Sequence, residues 1–355
     1  MKRLLSITLA ILMLIFLVSC GNVSNDKDNE SISDTTENMV SDTEQNLETD
    51  KTEIDNTLPF NITVISGTTG MGFAKMINDS SENKANFPYN FEIVSGADLV
   101  APAIINGTAD IAAVPTNLAA VLYAKTNGEI KILAANTLGV LYLIENGETI
   151  NTVSDLKGKT VYCCQQGANP EFITSYLLNE SGLVVGEDVT LDFTYNTPDE
   201  LATAIATGVV DLAVLPEPKV TATLAQNESL RRAINFSDLW AEINNGLPLI
   251  QGCIIARKSF VEKNPAEIAL FLEEYKASIE FVNTNPQEAS EMIATAGIIP
   301  KAPLALKAIP NCNIAFISGE ELIEPMTGFF NVLFGANPAS VGGAVPANEI
   351  FYTHK

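Results

Sequence analysis

An alternation of two periods constrains this chain more than any other feature of it. Short apolar, β-branched runs at Asn61 to Ser66, Phe91 to Val94, Ile111 to Val114 and Ile130 to Ala134 are separated by segments of helical period. Such alternation implies parallel sheets covered by helices, because each crossover helix must bury its apolar stripe on a sheet face. The same grammar restarts at Thr160 to Cys163 and continues through Val189 to Tyr195 and Leu212 to Leu215. A register match joins the halves: Val100, Ala103, Ile104, Gly107, Asp110, Ala112, Val114 and Pro115 recur, at a constant offset of 101, as Leu201, Ala204, Ile205, Gly208, Asp211, Ala213, Leu215 and Pro216. Each copy reads helix, glycine turn, aspartate, buried strand, proline. Gly107 and Gly208 suit the left-handed position that ends a helix.

Beyond Leu230 to Asn235 the pattern changes. Gln251 to Ala256 reads as a strand, and Pro265 to Asn283, Pro286 to Ala296 and Glu320 to Phe334 read as helices. The economical topology is α/β, with two lobes: residues 58–140 and 250–355 in the first, 141–249 in the second. The chain then crosses twice, near Leu138 to Ile144 and Gln251 to Ala256, and these apolar segments are expected to lie side by side as a two-strand hinge.

The chain opens Met1-Lys2-Arg3 and runs without charge from Leu4 to Val18. That is a secretory signal, shorter than the roughly 20 apolar residues of a membrane-spanning helix. The following Leu17-Val18-Ser19-Cys20-Gly21 resembles the bacterial lipobox. The resemblance implies that residues 1–20 are a lipoprotein signal peptide, that Cys20 carries diacylglycerol, and that the protein sits lipid-anchored on the extracytoplasmic face of the cell membrane. Residues 21–57 hold eleven acids against two lysines and little to bury, so they read as a disordered acidic tether. With 43 acidic and 20 basic residues in the whole chain, nucleic acid is excluded as a partner, since phosphate neutralisation needs a basic face.

Cys163, Cys164, Cys253 and Cys312 lack zinc-finger spacing, and the single histidine is His354. No metal, cofactor or catalytic residues are expected, and the cysteines read mostly as buried small hydrophobes. The sequence does not assign a disulfide among them.

In open α/β sheets a ligand lies beyond the carboxyl ends of the strands, and several loops meet that requirement. The turn Ser66-Gly67-Thr68-Thr69-Gly70-Met71-Gly72 lacks the Gly-Lys-Ser/Thr of a phosphate loop and reads either as a polar cradle or as a structural glycine turn. Cys164-Gln165-Gln166-Gly167-Ala168-Asn169 offers carboxamide donors and acceptors to a polar solute, or caps the helix that follows. Pro115-Thr116-Asn117 and Pro216-Glu217-Pro218 are equivalent third-strand loops. Glu217 either accepts from a ligand amine or caps the helix from Lys219. Ser95 is a further contributor, with Asp98 beside it read as a cap, and Tyr123, Tyr142, Tyr195 and Trp240 are read as core aromatics.

Three segments carry a family likeness. Asp155-Leu156-Lys157-Gly158-Lys159-Thr160-Val161 with Gly167 to Phe172, then Leu215-Pro216-Glu217-Pro218, then Asn264-Pro265-Ala266-Glu267 with Tyr275 and Pro286-Gln287-Glu288-Ala289, resemble nitrate/sulfonate/taurine-type and thiamine-precursor-type binding proteins. The resemblance implies a type II periplasmic-binding-protein fold and a monomer that holds a small-molecule solute between closing lobes. Its partners would be an ABC permease and its ATPase. Sulfonate and nitrate binders often bring Arg, Lys or His to the anion, whereas the loops above carry none, which favours a neutral or amine-bearing solute such as a pyrimidine or vitamin precursor over a sulfonate- or nitrate-like anion. The related pyrimidine synthase consumes its own histidine, which disfavours an enzyme here. A solute sensor in place of a transport subunit stays open.

Overall fold

The computed structural model describes residues 54–353. The signal segment, Cys20, most of the acidic run and His354 lie outside the described residues. Eleven strands follow in order: β1 Phe60–Ile65, β2 Tyr89–Val94, β3 Ile111–Pro115, β4 Ile130–Leu138, β5 Leu141–Asn146, β6 Thr160–Cys163, β7 Thr190–Asp192, β8 Leu212–Pro216, β9 Leu230–Asn235, β10 Ile250–Arg257 and β11 Ile314–Ser318. They form a six-stranded sheet ordered β11-β4-β10-β3-β1-β2 and a five-stranded sheet ordered β7-β6-β8-β5-β9.

The internal repeat extends beyond the segment that revealed it. β2-β1-β3 and β7-β6-β8 are parallel runs, β10 is antiparallel to β3 as β5 is to β8, and β4 and β9 flank them antiparallel in turn. Gly107 and Gly208 end their helices at φ 76° and 74°. The carbonyl of Asp110 accepts from the Arg257 amide at 3.0 Å, and that of Asp211 accepts from the Asn146 amide at 2.8 Å. Both sheets are therefore mixed, which corrects the all-parallel expectation. In the second sheet the strand that runs against the others, β5, is the one that enters from the first sheet; in the first sheet β10, which enters from the second, and the edge strand β11 both do so.

The crossing also differs in detail from the expectation. Leu138 to Ile144 is not one strand: β4 ends at Leu138, and β5 begins in the other sheet at Leu141. Gly139 sits at the break, where a Cβ would lie 2.3 Å from the Ser237 Oγ and 3.1 Å from the Leu249 Cδ2, so a side chain there would have to displace its neighbours. Gln251 to Ala256 lies wholly within β10 and the first sheet, so the return crossing precedes it. The two crossings do meet: the Val140 amide donates to the Gln251 Oε1 at 2.7 Å.

Two buried clusters cover the faces of the first sheet, and a third fills one side of the second. One of them continues from Val100 and Val114 through Leu143 and Ile173 to Trp240 and Phe329, without a break between the sheets. The helix Ile323–Ala336 produces this continuity by packing on both Thr116–Lys125 and Asn169–Glu180. Trp240 is buried and meets Phe329 edge-on at 5.7 Å, a core role as expected. All four described cysteines are free and buried. The end of the tether is better ordered than composition suggested. The Asp55 amide donates to Glu267 at 3.0 Å, so residues 54–57 belong to the folded body.

Candidate functional site

The candidate loops follow the carboxyl ends of β1, β3, β6 and β8, and those after β3 and β6 meet between the sheets through Asn117 and Asn169. From the first sheet comes the short helix Thr68–Met71, entered through Gly67 at φ 102°. Thr68 and Thr69 are partly exposed, whereas Gly70 and Met71 are buried. A Cβ on Gly70 would stand 2.7 Å from the Ile65 carbonyl, so this glycine serves close packing. Met71 joins the core beside Phe73 and Ile279. Neither Gly70 nor Met71 therefore reaches a ligand by its side chain. An apolar residue in the single turn of a short helix, two positions past the polar pair, turns inward.

A residue absent from the candidate loops fixes this helix from beneath. Asn136 of β4 is buried and donates from Nδ2 to the Thr69 carbonyl at 2.9 Å, while its Oδ1 accepts from Thr137. The signal was present in the sequence: Asn136-Thr137 is a polar pair inside the apolar run from Ile130 to Ile144.

After β3 the third-strand loop divides its roles. Thr116 is fully buried, and its hydroxyl donates to the Ile250 carbonyl at 2.8 Å, which ties β3 to the start of β10. Thr116 is thus a clamp and not a ligand contact. Asn117, one residue on, faces the second sheet. Its Oδ1 accepts from the Nδ2 of Asn169 at 3.0 Å. These two side chains start the helices Thr116–Lys125 and Asn169–Glu180, so one hydrogen bond joins the facing loops of the two sheets.

In the second sheet's loop, Gln165 takes a left-handed φ of 58°. The amides of Gln165 and Gln166 donate to Asn196, each at 2.8 Å, and that of Gly167 donates to Glu171. The side chains of Gln165 and Gln166 stay exposed, as does Ser95 at the end of β2. Cys163 and Cys164 lie beneath this loop. Burial pushes the Cys164 thiol up to about 11, and the Cys163 thiol higher still, so both are neutral packing atoms.

Glu217 resolves in favour of the cap. It is buried, accepts from the Thr221 amide and hydroxyl, each at 3.1 Å, and pairs with Arg232 of β9. A carboxylate so engaged is not available to a ligand amine. Arg232 lies 5.4 Å from the Tyr142 ring centroid. Tyr142 is buried yet bridges the sheets, its hydroxyl donating to the Asn311 carbonyl at 3.0 Å. Burial, with Glu217 adding to it and Arg232 opposing, pushes that hydroxyl up to about 12. Beside it a cavity of about 250 Å³ is lined by Thr221, Leu224, Ala225, Arg232 and Lys307. Positive charge thus reaches the edge of the site from β9 and the helix Ala302–Ala308, which the loop motifs did not disclose. Among the described residues no cluster of His, Cys, Asp and Glu suits a metal ion, and no helix is long and apolar enough to cross a membrane.

The fold recurs in solved structures. An ABC transporter structure from Parabacteroides distasonis superposes with a TM-score of 0.71 at 25% identity, covering 85% of this chain and 100% of that one. The periplasmic aliphatic sulphonate binding protein SsuA of Escherichia coli gives a TM-score of 0.63 at 18% identity, over 81% of this chain and 92% of its own. The alkanesulfonate-binding SsuA of Xanthomonas axonopodis pv. citri, solved with MOPS bound, gives 0.60 at 14% identity, over 84% and 100%. The periplasmic-binding-protein fold expected from the sequence is therefore the fold observed. A candidate binding protein of Brucella abortus (strain 2308) is 21% identical over 203 residues, 57% of this chain. The match spans 60% of the length of that relative. A family model described as NMT1/THI5 like matches residues 92–289, more than half of the chain and the stretch that holds Asn117, Asn169 and Glu217. The chain belongs to the NMT1/THI5-like family.

Proposed function

We propose that this protein is the extracytoplasmic solute-binding component of an ABC importer and captures a small polar organic solute between two closing lobes. The observation that carries the reading is the hydrogen bond from Asn169 to Asn117, which joins the starts of two helices on different sheets where strand ends converge. A body divided into two like-ordered sheets and crossed near Gly139 and again before Gln251 can hinge there and part those two helices. The bodies that move would be residues 58–140 with 250–355 and residues 141–249. Thr68, Thr69, Ser95, Asn117, Gln165, Gln166, Gly167 and Asn169 are the proposed contacts, with Asn136 holding the Thr69 turn, Thr116 anchoring the start of the Asn117 helix, and Glu217 fixing the helix from Lys219.

The remaining parts of the reading rest on sequence. Cys20 would carry the lipid anchor, the acidic run would hold the folded body clear of the membrane, and the monomer would deliver its solute to a permease and its ATPase. The protein would not be an enzyme: the proposed contacts supply carboxamides and hydroxyls, with no nucleophile and base among them. An anionic solute is a second reading, favoured by Arg232 and Lys307 at the cavity beside Tyr142.

Native mass spectrometry of the purified protein tests the proposal. A small molecule should be released on denaturation. Returned at a hundredfold excess over its Kd, it should add about 2.7 kcal/mol to stability. Absence of any released molecule, with no thermal shift from a solute library, would remove the reading.

A further inference from the structure

We infer that the two lobes turn on an apolar bearing, Phe329 seated against Trp240, which stays buried while the crevice opens. The inference rests on the reading of two lobes that part, and concerns what they part about.

The helix Ile323–Ala336 is tied to the first sheet at both of its ends. Before it, β11 pairs with β4, and Leu322 is fully buried. After it, Gly342 lies so close to the helix Thr116–Lys125 that a Cβ would stand 2.7 Å from the Ala124 Cβ, and the Tyr352 amide donates to the Ile132 carbonyl of β4 at 2.9 Å. The middle of the same helix reaches the other lobe. Met326, Phe329, Phe330 and Leu333 are all fully buried, and Phe329 meets Trp240 edge-on. Trp240 belongs to the second lobe: the Tyr176 ring lies 5.1 Å from it, and the Tyr176 hydroxyl donates to the Asn244 Oδ1 at 2.9 Å. One turn before Trp240, the Ser237 hydroxyl donates to the Gly139 carbonyl at 3.2 Å, so the aromatic contact stands beside the break between β4 and β5.

Contacts between the lobes are thus of two kinds. Asn117 with Asn169, and Tyr142 with the Asn311 carbonyl, share single hydrogen bonds, which water replaces at small net cost. Phe329 and Trp240 share a dry face, and large aromatic side chains bury about 150–250 Å² each. Water offers no substitute there, because exposed apolar area gains no partner. An opening that prised the rings apart would leave the open form rare and the crevice shut to solute. A rotation that parts the carboxamides and keeps the rings seated opens the crevice at the lowest cost, with the aromatic pair near its axis.

Trp240 is the chain's single tryptophan, so its fluorescence reads this contact alone. Acrylamide quenching and small-angle scattering are measured on the whole mature chain, as purified and after bound molecules are removed by unfolding and refolding. The radius of gyration should rise on removal, while the quenching constant and emission maximum stay those of a buried indole. Quenching that rises with the radius, with a red-shifted emission, would overturn the bearing. An unchanged radius, or no molecule removed, would instead overturn the solute-closed reading beneath it. Phe329→Ala should raise the quenching and enlarge the solute-free radius beyond that of wild type, and Phe329→Leu should restore the radius. Phe60→Leu, in the separate core cluster of the first lobe, should lower Tm and leave both readouts at their wild-type values. A radius in Phe329→Ala no larger than in Phe60→Leu would reduce Phe329 to a core residue. The wild-type quenching decides the matter if Phe329→Ala does not fold.

Discussion

Glu217→Ala separates a structural role from a ligand role at the residue the sequence left most ambiguous. Glu217 is buried and receives three hydrogen bonds, from Arg232 Nη2 and from the amide and hydroxyl of Thr221. Breaking a fully buried ion pair by removing one partner costs about 3–5 kcal/mol. The Arg232 side chain keeps 27% of its surface in solvent, so water compensates part of the orphaned charge. A loss of about 2–3 kcal/mol remains, which for a folded body of about 300 residues lowers Tm by about 3–5 °C. Urea unfolding followed by far-UV circular dichroism measures the loss. Arg232→Met should destabilise too, and the double variant should lose at least about 1 kcal/mol less than the two singles together. Wild-type stability in Glu217→Ala, with solute affinity abolished, would refute the reasoning and return Glu217 to the ligand.

Three further outcomes are expected. Iodoacetamide at neutral pH should label none of Cys163, Cys164, Cys253 and Cys312 in the folded protein and all four in urea, since burial raises every one of these thiols; fast labelling of Cys164 would contradict its placement. Burial alone would raise the Glu145 carboxyl, but the Thr149 hydroxyl and amide, the Ile150 amide and Arg231 together hold it below its ordinary value of 4.5. Its stabilisation is then full above that value and is lost as pH falls through the lower folded value, so the stability gap between wild type and Glu145→Gln should be constant at neutral pH and shrink on acidification; a gap that widens in acid would be the wrong sign. Deleting residues 22–53 should leave the melting curve unchanged, whereas Asp55→Pro, which removes the amide donor to Glu267, should lower it; equal curves for all three chains would mean that residues 54–57 add nothing.

Much of the architecture was legible because one unit is written twice. Gly107 and Gly208, with the apolar strands and prolines that follow them, repeat in sequence what the two sheets repeat in space. Strand direction was not legible, because an apolar run buried on both faces reads alike in either orientation. β5 and β10 each arrive from the other sheet and run against the parallel strands they join. The break at Gly139 escaped for a related reason: Ser237, whose hydroxyl crowds the position a side chain would take there, is remote in sequence. At the site, Asn117 and Asn169 were identified separately as polar loop residues, but their pairing depends on how the lobes face each other. Arg232 was missed because its strand, Leu230–Asn235, carries no motif, and its partner Glu217 was judged without it.

Small-angle scattering tests the central claim, that this is a two-lobed body closed by its solute. The protein is freed of co-purified solute by unfolding and refolding, and its radius of gyration is measured with and without the recovered molecule. A compact chain of about 300 residues has a radius near 19 Å. The solute-bound form should approach that value and the solute-free form should exceed it, because the Asn117–Asn169 contact opens when nothing lies between the lobes. An identical radius in both states, at saturating solute, would contradict the account.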